Sequence, residues 1–82
     1  MESEKFGAWL RRYSGLTDKS AYDVVSRLRR ASKLVNVDSK QSVEDLLHKL
    51  GKQPEFKELT MTVRSQIRRA IRLYRTFEAR HD

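Results

Sequence analysis

Residues 63–77 read VRSQIRRAIRLYRTF, and the periodicity of this stretch decides the fold. Its apolar residues recur every three or four positions, which is the spacing of one face of an α-helix. The stripe consists of Val63, Ile67, Ala70, Ile71, Tyr74 and Phe77. The pattern predicts a helix that begins at about Thr60 or Met61 and ends near Ala79.

Arginines occupy the arc of the same helix that adjoins the apolar stripe. The row consists of Arg64, Arg68, Arg72 and Arg75. Like charges one turn apart repel each other by a few tenths of a kcal/mol per pair, so something outside the helix should offset that cost. Two candidates could offset this repulsion: a phosphate backbone, or the acidic residues between Asp38 and Glu58. Arg69 and Arg80 are expected on the far side of the helix.

Three further helices are predicted before this one. Their approximate bounds are Ser3 to Tyr13, Thr17–Ser20 to Val35, and Ser42 to Leu50. A polar connection, residues 36–40, joins the second helix to the third, and Phe56 with Leu59 should fill the core from a single helical turn. Together these elements predict one domain, residues 1–82, that folds as a compact all-α four-helix bundle with no sheet.

Local signals mark the ends and the inner faces of these helices. Gly15 is expected to end the first helix as a left-handed C-cap, and Tyr13 falls on the apolar face of that helix. Residues 20–23 fit a capping box loosely, and Ser42 with Asp45 forms a capping pair. One core should contain Trp9, Leu28, Leu46, Ile67, Ile71 and Tyr74.

The net charge of +7 is unevenly distributed along the chain. Residues 17–35 carry +3 and residues 60–82 carry +4, whereas residues 36–59 carry −1. Both basic segments are predicted helices, and such clustering is typical of a protein that binds a polyanion. The alternative is a basic surface that only keeps the chain in solution. Eleven arginines against seven lysines favour binding, because the guanidinium fork pairs with phosphate oxygens.

Signatures of catalysis and of metal binding are absent from the sequence. It contains no cysteine and only two histidines, His48 and His81, and His48 is expected on the surface rather than as a general base. We therefore expect no enzyme activity, no cofactor, no metal and no small-molecule substrate. The lack of cysteine, of a signal peptide and of a long apolar run favours a cytoplasmic protein without membrane contact.

Two stretches resemble the N-terminal core-binding domain of tyrosine recombinases and phage integrases. Residues 16–20 (LTDKS) lead into Val24 and Leu28, although the family has an aromatic residue at the place of Val24. In the last helix the matching residues are Ile67, Ala70, Ile71, Arg72, Leu73, Tyr74 and Phe77. The resemblance covers nearly the whole chain and rests on helix-packing patterns.

The resemblance implies a SAM-like four-helix bundle that forms half of a clamp around DNA. In the family, a separate C-terminal domain supplies the arginine, histidine and nucleophilic tyrosine for DNA integration and recombination, and that domain is not in this chain. The chain is then either a fragment of a recombinase or a free-standing relative without the chemistry.

These observations together predict a domain that binds double-stranded DNA, with self-association on the DNA left open. The expected phosphate contacts are Arg29, Arg30, Lys33, Arg64, Arg68, Arg72 and Arg75. The alternative is a non-catalytic SAM-like interaction or oligomerisation module that docks an acidic partner. RNA binding is a third interpretation, but no exposed aromatic platform is predicted that would favour it.

Overall fold

Five α-helices make up most of the chain, whose computed structural model describes residues 2–80. They are α1 (Ser3–Tyr13), α2 (Asp18–Ser32), α3 (Val43–Gly51), α4 (Pro54–Lys57) and α5 (Met61–Arg80). The described residues are 75% helical and contain no strand. The predicted all-helical class is confirmed, and α4 is the short helical turn expected around Phe56.

Gly15 ends α1 because it adopts a backbone conformation that residues with a Cβ atom rarely adopt. Its φ angle is +68°, in the left-handed region. The chain then reverses, and the N–H of Leu16 donates to the carbonyl of Leu10 at 3.3 Å. The predicted C-cap is therefore confirmed.

Side-chain hydroxyls cap the first turns of α2 and α3. The Thr17 hydroxyl accepts a hydrogen bond from the Ser20 N–H at 3.1 Å. In the same way, the Ser42 hydroxyl accepts one from the Asp45 N–H at 3.2 Å. Each bond satisfies a backbone donor that has no partner within its helix. The capping pair at Ser42 is confirmed, whereas the capping box predicted at residues 20–23 is wrong, because Ser20 already lies inside α2.

α2 ends at Ser32, three residues before the predicted limit at Val35. The N–H groups of Leu34 and Val35 both donate to the carbonyl of Ala31, which closes the helix in a tight turn. The chain then carries Val37 into the core, where this side chain is 2% exposed. The connection to α3, which was predicted to be polar, therefore contributes a core residue.

α5 is the central element of the domain, because it packs against α1, α2 and α3. The predicted core is confirmed: Trp9 is partly buried against it, and the remaining members are buried, namely Leu28, Leu46, Ile67, Ile71 and Tyr74. Tyr13 departs from the prediction, since it is 65% exposed. It lies in the last turn of α1, where its ring is contacted by the Arg12 guanidinium, 5.5 Å from the ring centroid, and its hydroxyl stays in water.

Aromatic rings join α1 to α5 at the centre of this core. The ring of Phe6 meets that of Tyr74 edge to face, with 5.2 Å between the centroids, and lies 5.5 Å from that of Phe77. Trp9 lies 5.8 Å from Phe77 on the outer side of the cluster. These separations fall in the range in which aromatic pairs attract each other beyond their simple burial.

The Tyr74 hydroxyl fastens the connection between α2 and α3 to α5. It donates to the Asp38 carboxylate at 2.6 Å and accepts from the backbone N–H of Glu2 at 3.4 Å. Burial, followed by the hydrogen bond to Asp38, raises the pKa of Tyr74 above its usual value, so the hydroxyl keeps its proton. At Asp38, burial favours the neutral acid. The Tyr74 hydroxyl and nearby positive charge outweigh that effect and hold the pKa of Asp38 below its ordinary 3.8.

Replacing Ile71 with Ala should destabilise the domain by about 2–5 kcal/mol, because the side chain is fully buried and its loss leaves a cavity. Urea unfolding followed by circular dichroism measures the change. Met61→Ala is the matched control, since Met61 is 74% exposed and its loss should change the free energy of unfolding by no more than about 0.5 kcal/mol. Equal losses in the two variants would contradict the assigned core.

Replacing Tyr74 with Phe should cost about 1.5–3 kcal/mol at pH 7, the net value of a hydrogen bond to a charged group. The pKa of Asp38 is depressed in the folded state, so its contribution to stability is complete above 3.8 and is lost as the pH falls through the folded value. The difference in unfolding free energy between wild type and variant should therefore stay constant from pH 7 to 5 and shrink below pH 3.8. A difference that grows on acidification would contradict the assigned pair.

Candidate nucleic-acid interface

The seven predicted contact residues form two groups on different parts of the bundle. Four of them line one side of α5, and this set is called the α5 row: Arg64, Arg68, Arg72 and Arg75. The other three, called the α2 group, end α2 and are all exposed: Arg29, Arg30 and Lys33. Arg68 and Arg75 of the α5 row contact α4 and the connection before α3, whereas Arg29 of the α2 group contacts α1.

The α5 row lies along the edge where α5 meets α3 and α4. The guanidinium carbon of Arg68 lies 5.2 Å from the ring centroid of Phe56, the buried residue of α4. Further along, Nη2 of Arg75 donates to the carbonyl of Ser39 at 2.8 Å. Arg64 and Arg75 are half-buried, and the Nε of each makes no hydrogen bond within residues 2–80. The row is therefore held at the protein surface by contacts that do not cancel its charge.

Only one of the four arginines of the α5 row has a carboxylate oxygen within 4.0 Å in residues 2–80. Within residues 2–80, neither Arg64, Arg68 nor Arg72 has a carboxylate oxygen within 4.0 Å. Arg75 lies 3.8 Å from the carboxylate of Glu78, which belongs to the same helix and not to the acidic middle segment. Burial and then the charge of Asp38 raise the pKa of Glu78, which Arg75 partly opposes. Direct ion pairs with the acidic segment thus do not offset the repulsion within the row.

A surface groove of about 460 Å³ opens beside the second half of the α5 row. Arg72 and Arg75 line it together with Thr76 and Val43, the first residue of α3. Arg80, which helical periodicity places on the far side of α5, lines this groove beyond Thr76.

One member of the α2 group, Arg29, lines a second groove, of about 380 Å³, between α1 and α2. Nη2 of Arg29 donates to the Ser3 hydroxyl at 3.3 Å, which draws the guanidinium toward α1. The sequence did not single out Arg11, which comes from α1 and lines the same groove. Arg30 and Lys33 are exposed, and within the described chain neither has a carboxylate oxygen within 4.0 Å.

Arg27 illustrates a basic residue whose interactions are internal. Its Nε donates to the Oε1 of Gln66 in α5 at 2.8 Å, and its Nη1 donates to the Asp23 carbonyl at 3.1 Å. These bonds tie α2 to α5 and satisfy two of the five guanidinium N–H groups. Arg27 therefore serves the packing of the two helices, in contrast to the neighbouring α2 group.

Other kinds of site find little support in the described residues. No group of three or more His, Asp and Glu side chains between residues 2 and 80 is arranged to hold a metal ion. His48 is exposed at the surface of α3, as predicted, and His81 lies outside the described residues. No helix between residues 2 and 80 has the length and apolarity that a membrane crossing requires.

Comparison with protein-family models, with curated proteins and with solved structures finds no match to this chain. The resemblance to integrase core-binding domains therefore rests on the residues of the chain itself, above all on residues 67–77 of α5. The all-helical architecture agrees with that interpretation but is shared by many unrelated domains.

Arg72 and Arg75 should respond differently to replacement by Gln. Arg75→Gln removes the hydrogen bond to the Ser39 carbonyl and should cost about 0.5–1.5 kcal/mol in unfolding free energy. Arg72→Gln, at an exposed position without an ion pair, should change that free energy by less than about 0.5 kcal/mol. Urea unfolding of both variants measures the difference, and a greater loss at Arg72 would contradict the assigned contacts.

Proposed function

We propose that this chain is a DNA-binding helical domain of the SAM-like, integrase core-binding type. Its arginine-rich helices contact the phosphate backbone of double-stranded DNA, and it contributes no catalytic group. A domain that forms half of a clamp should bind short duplexes weakly and with little sequence preference on its own. Non-specific dissociation constants at physiological salt are about 10⁻⁴–10⁻⁶ M.

The observation that supports this proposal most strongly is the uncompensated charge of the α5 row. Arg64, Arg68 and Arg72 have no carboxylate within 4.0 Å in residues 2–80, yet they stand one turn apart on one helix. A phosphate backbone neutralises such a row and releases the cations condensed on the DNA, which favours binding. Guanidinium groups also match phosphate geometry through paired hydrogen bonds.

The length of the α5 row suits contact with the phosphate backbone of DNA. The eleven-residue separation of Arg64 and Arg75 corresponds to about 16 Å at about 1.5 Å per residue, comparable with the spacing of several consecutive phosphates. The contacts with Phe56 and Ser39 restrict the side chains of Arg68 and Arg75 before any partner arrives. Side chains that are already ordered lose less conformational entropy on binding, so the row is prepared for a regular polyanion.

Arg29 of the α2 group lines a different groove from Arg72 and Arg75 of the α5 row, and in this proposal the two groups contact separate segments of DNA backbone. Such separate contacts fit a domain that binds the duplex through its phosphate backbone rather than one that recognises the base sequence with a single helix. Sequence specificity, if present, requires one or two arginines that reach guanine edges in the major groove. Most of the affinity then comes from phosphate contacts and varies little with the DNA sequence.

A second function is favoured by an aromatic groove of about 260 Å³ on α1. Trp9 and the exposed Tyr13 line it with Phe77, and Lys5 and Arg12 border it. Aromatic residues and arginine are enriched at the centres of protein interfaces. A SAM-like module that docks an acidic protein partner is therefore the alternative, and it does not require the α5 row to contact DNA.

The double variant Arg68→Gln with Arg72→Gln tests the proposed function. Its helical content should be unchanged and its unfolding free energy should lie within about 1 kcal/mol of wild type, because the main loss is the Arg68–Phe56 contact. Its affinity for a labelled duplex, measured by fluorescence anisotropy, should fall. The slope of log affinity against log salt should lose about 0.9 for each of the two contacts.

Glu44→Gln with Asp45→Asn is the control, because it changes the same number of charges at exposed positions on α3. It should leave DNA binding unchanged apart from a slight non-specific gain. If the arginine double variant unfolds while its folded fraction binds DNA as before, the α5 row is structural. The interaction module would then be the better account of the chain.

A further inference from the structure

The groove between α1 and α2 has small residues at its base, and basic and phenolic side chains along its rim. Gly7, Ala21 and Val25 form the floor, and Arg11 and Arg29 stand on opposite helices above it. Tyr22 also lines the groove and is 67% exposed, so its hydroxyl can reach a partner. The volume of about 380 Å³ is large enough for a phosphate group with its adjoining sugars.

Because Gly7 has no side chain, it leaves space in this groove. The packing of α1 against α2 does not itself require glycine at this position. It is buried in the middle of α1, where glycine is a poorer helix former than alanine. A Cβ atom at this position would lie 3.6 Å from Cγ2 of Val25 and 3.7 Å from Nη1 of Arg11, both ordinary contact distances. The methyl group of alanine would therefore fit, but it would occupy the space beside the Arg11 guanidinium.

Neither the Arg11 nor the Arg29 guanidinium makes a strong interaction within the domain. Nε of Arg11 lies 3.6 Å from the carboxylate of Asp18, whose side chain is 94% exposed and can turn away into water. Arg29 donates to the neutral hydroxyl of Ser3 at the long distance of 3.3 Å. Both arginines can therefore turn to a phosphate, which offers charge-assisted and shorter hydrogen bonds.

We propose that the α1–α2 groove binds a backbone phosphate of double-stranded DNA, held by Arg11, Arg29 and the hydroxyl of Tyr22. The inference rests on the proposed function and adds Arg11, Tyr22 and Gly7 to the contact surface. Glu4 also lines the groove, so the side chains that line it carry one net positive charge once Asp18, which is not among them, turns away from Arg11. A phosphodiester carries a single negative charge and matches that balance.

Gly7→Ala separates DNA contact from stability, because it should move the two in opposite directions. Its melting temperature should equal or exceed that of wild type, while its affinity for a labelled duplex should fall at least about threefold through loss of a phosphate contact. Gly51→Ala is the matched control: a Cβ there meets no atom within 4 Å beyond its chain neighbours and its own helix backbone, and the variant's affinity for DNA should not change. A Gly7→Ala variant that is stable and keeps wild-type affinity contradicts the groove assignment.

Arg11→Gln with Arg29→Gln tests the same groove without altering its floor. This variant should bind the duplex more weakly, with a salt slope reduced by about 1.8 for two lost contacts. If wild type and the Arg68 and Arg72 double variant behave as the proposed function requires while this variant keeps its affinity and slope, the groove assignment and the DNA contact of Arg29 are overturned, whereas DNA binding by the α5 row stands. If wild type itself fails to bind duplex DNA at low salt, the proposed function fails and the groove assignment fails with it.

Discussion

α5 must bury one face completely while the adjoining face carries four arginines, and the rest of the structure is arranged around this constraint. α1 and α2 cover the apolar face, where Ile67, Ile71 and Tyr74 are buried. α3, α4 and the connection before them follow the arginine edge and contact it through a phenyl ring and a backbone carbonyl. These two contacts carry no formal charge, and within residues 2–80 only Arg75 of the row has a carboxylate oxygen within 4.0 Å, so we propose that a polyanion neutralises the remaining three arginines.

Periodicity was sufficient to predict the helices and most of the core, because burial repeats with the helical turn. It could not predict what the chain does between helices. Val37 lies in a stretch of polar residues, and its burial depends on how the turn after α2 directs the chain. The bond from Tyr74 to Asp38 joins residues 36 positions apart, a separation at which no local pattern operates. Tyr13 has the correct spacing for the core but lies in the last turn of α1, outside it.

The candidate site was predicted only in part, for a related reason. The spacing of the α5 row follows from the helix itself, so its position beside the apolar stripe could be derived. Which of its members are held by other groups depends on the position of α3 and α4, as the bond from Arg75 to Ser39 demonstrates. The α1–α2 groove could be found only from the structure, because Arg11 and Arg29 are 18 residues apart in the sequence. The recurrence of Ser3, Gly7 and Arg11 every four residues, which places them on one face of α1, was one signal for it.

The measurement that bears most directly on this account is the salt dependence of duplex binding by the unmodified chain. Fluorescence anisotropy with a short labelled duplex, repeated across a range of monovalent salt, gives the slope of log affinity against log salt. If the α5 row contacts the backbone through three or more arginines, the slope should be about −2.7 or steeper, at about −0.9 for each phosphate contact. A slope near zero, or no binding at low salt, would contradict the claim that the uncompensated arginines of α5 serve to bind DNA.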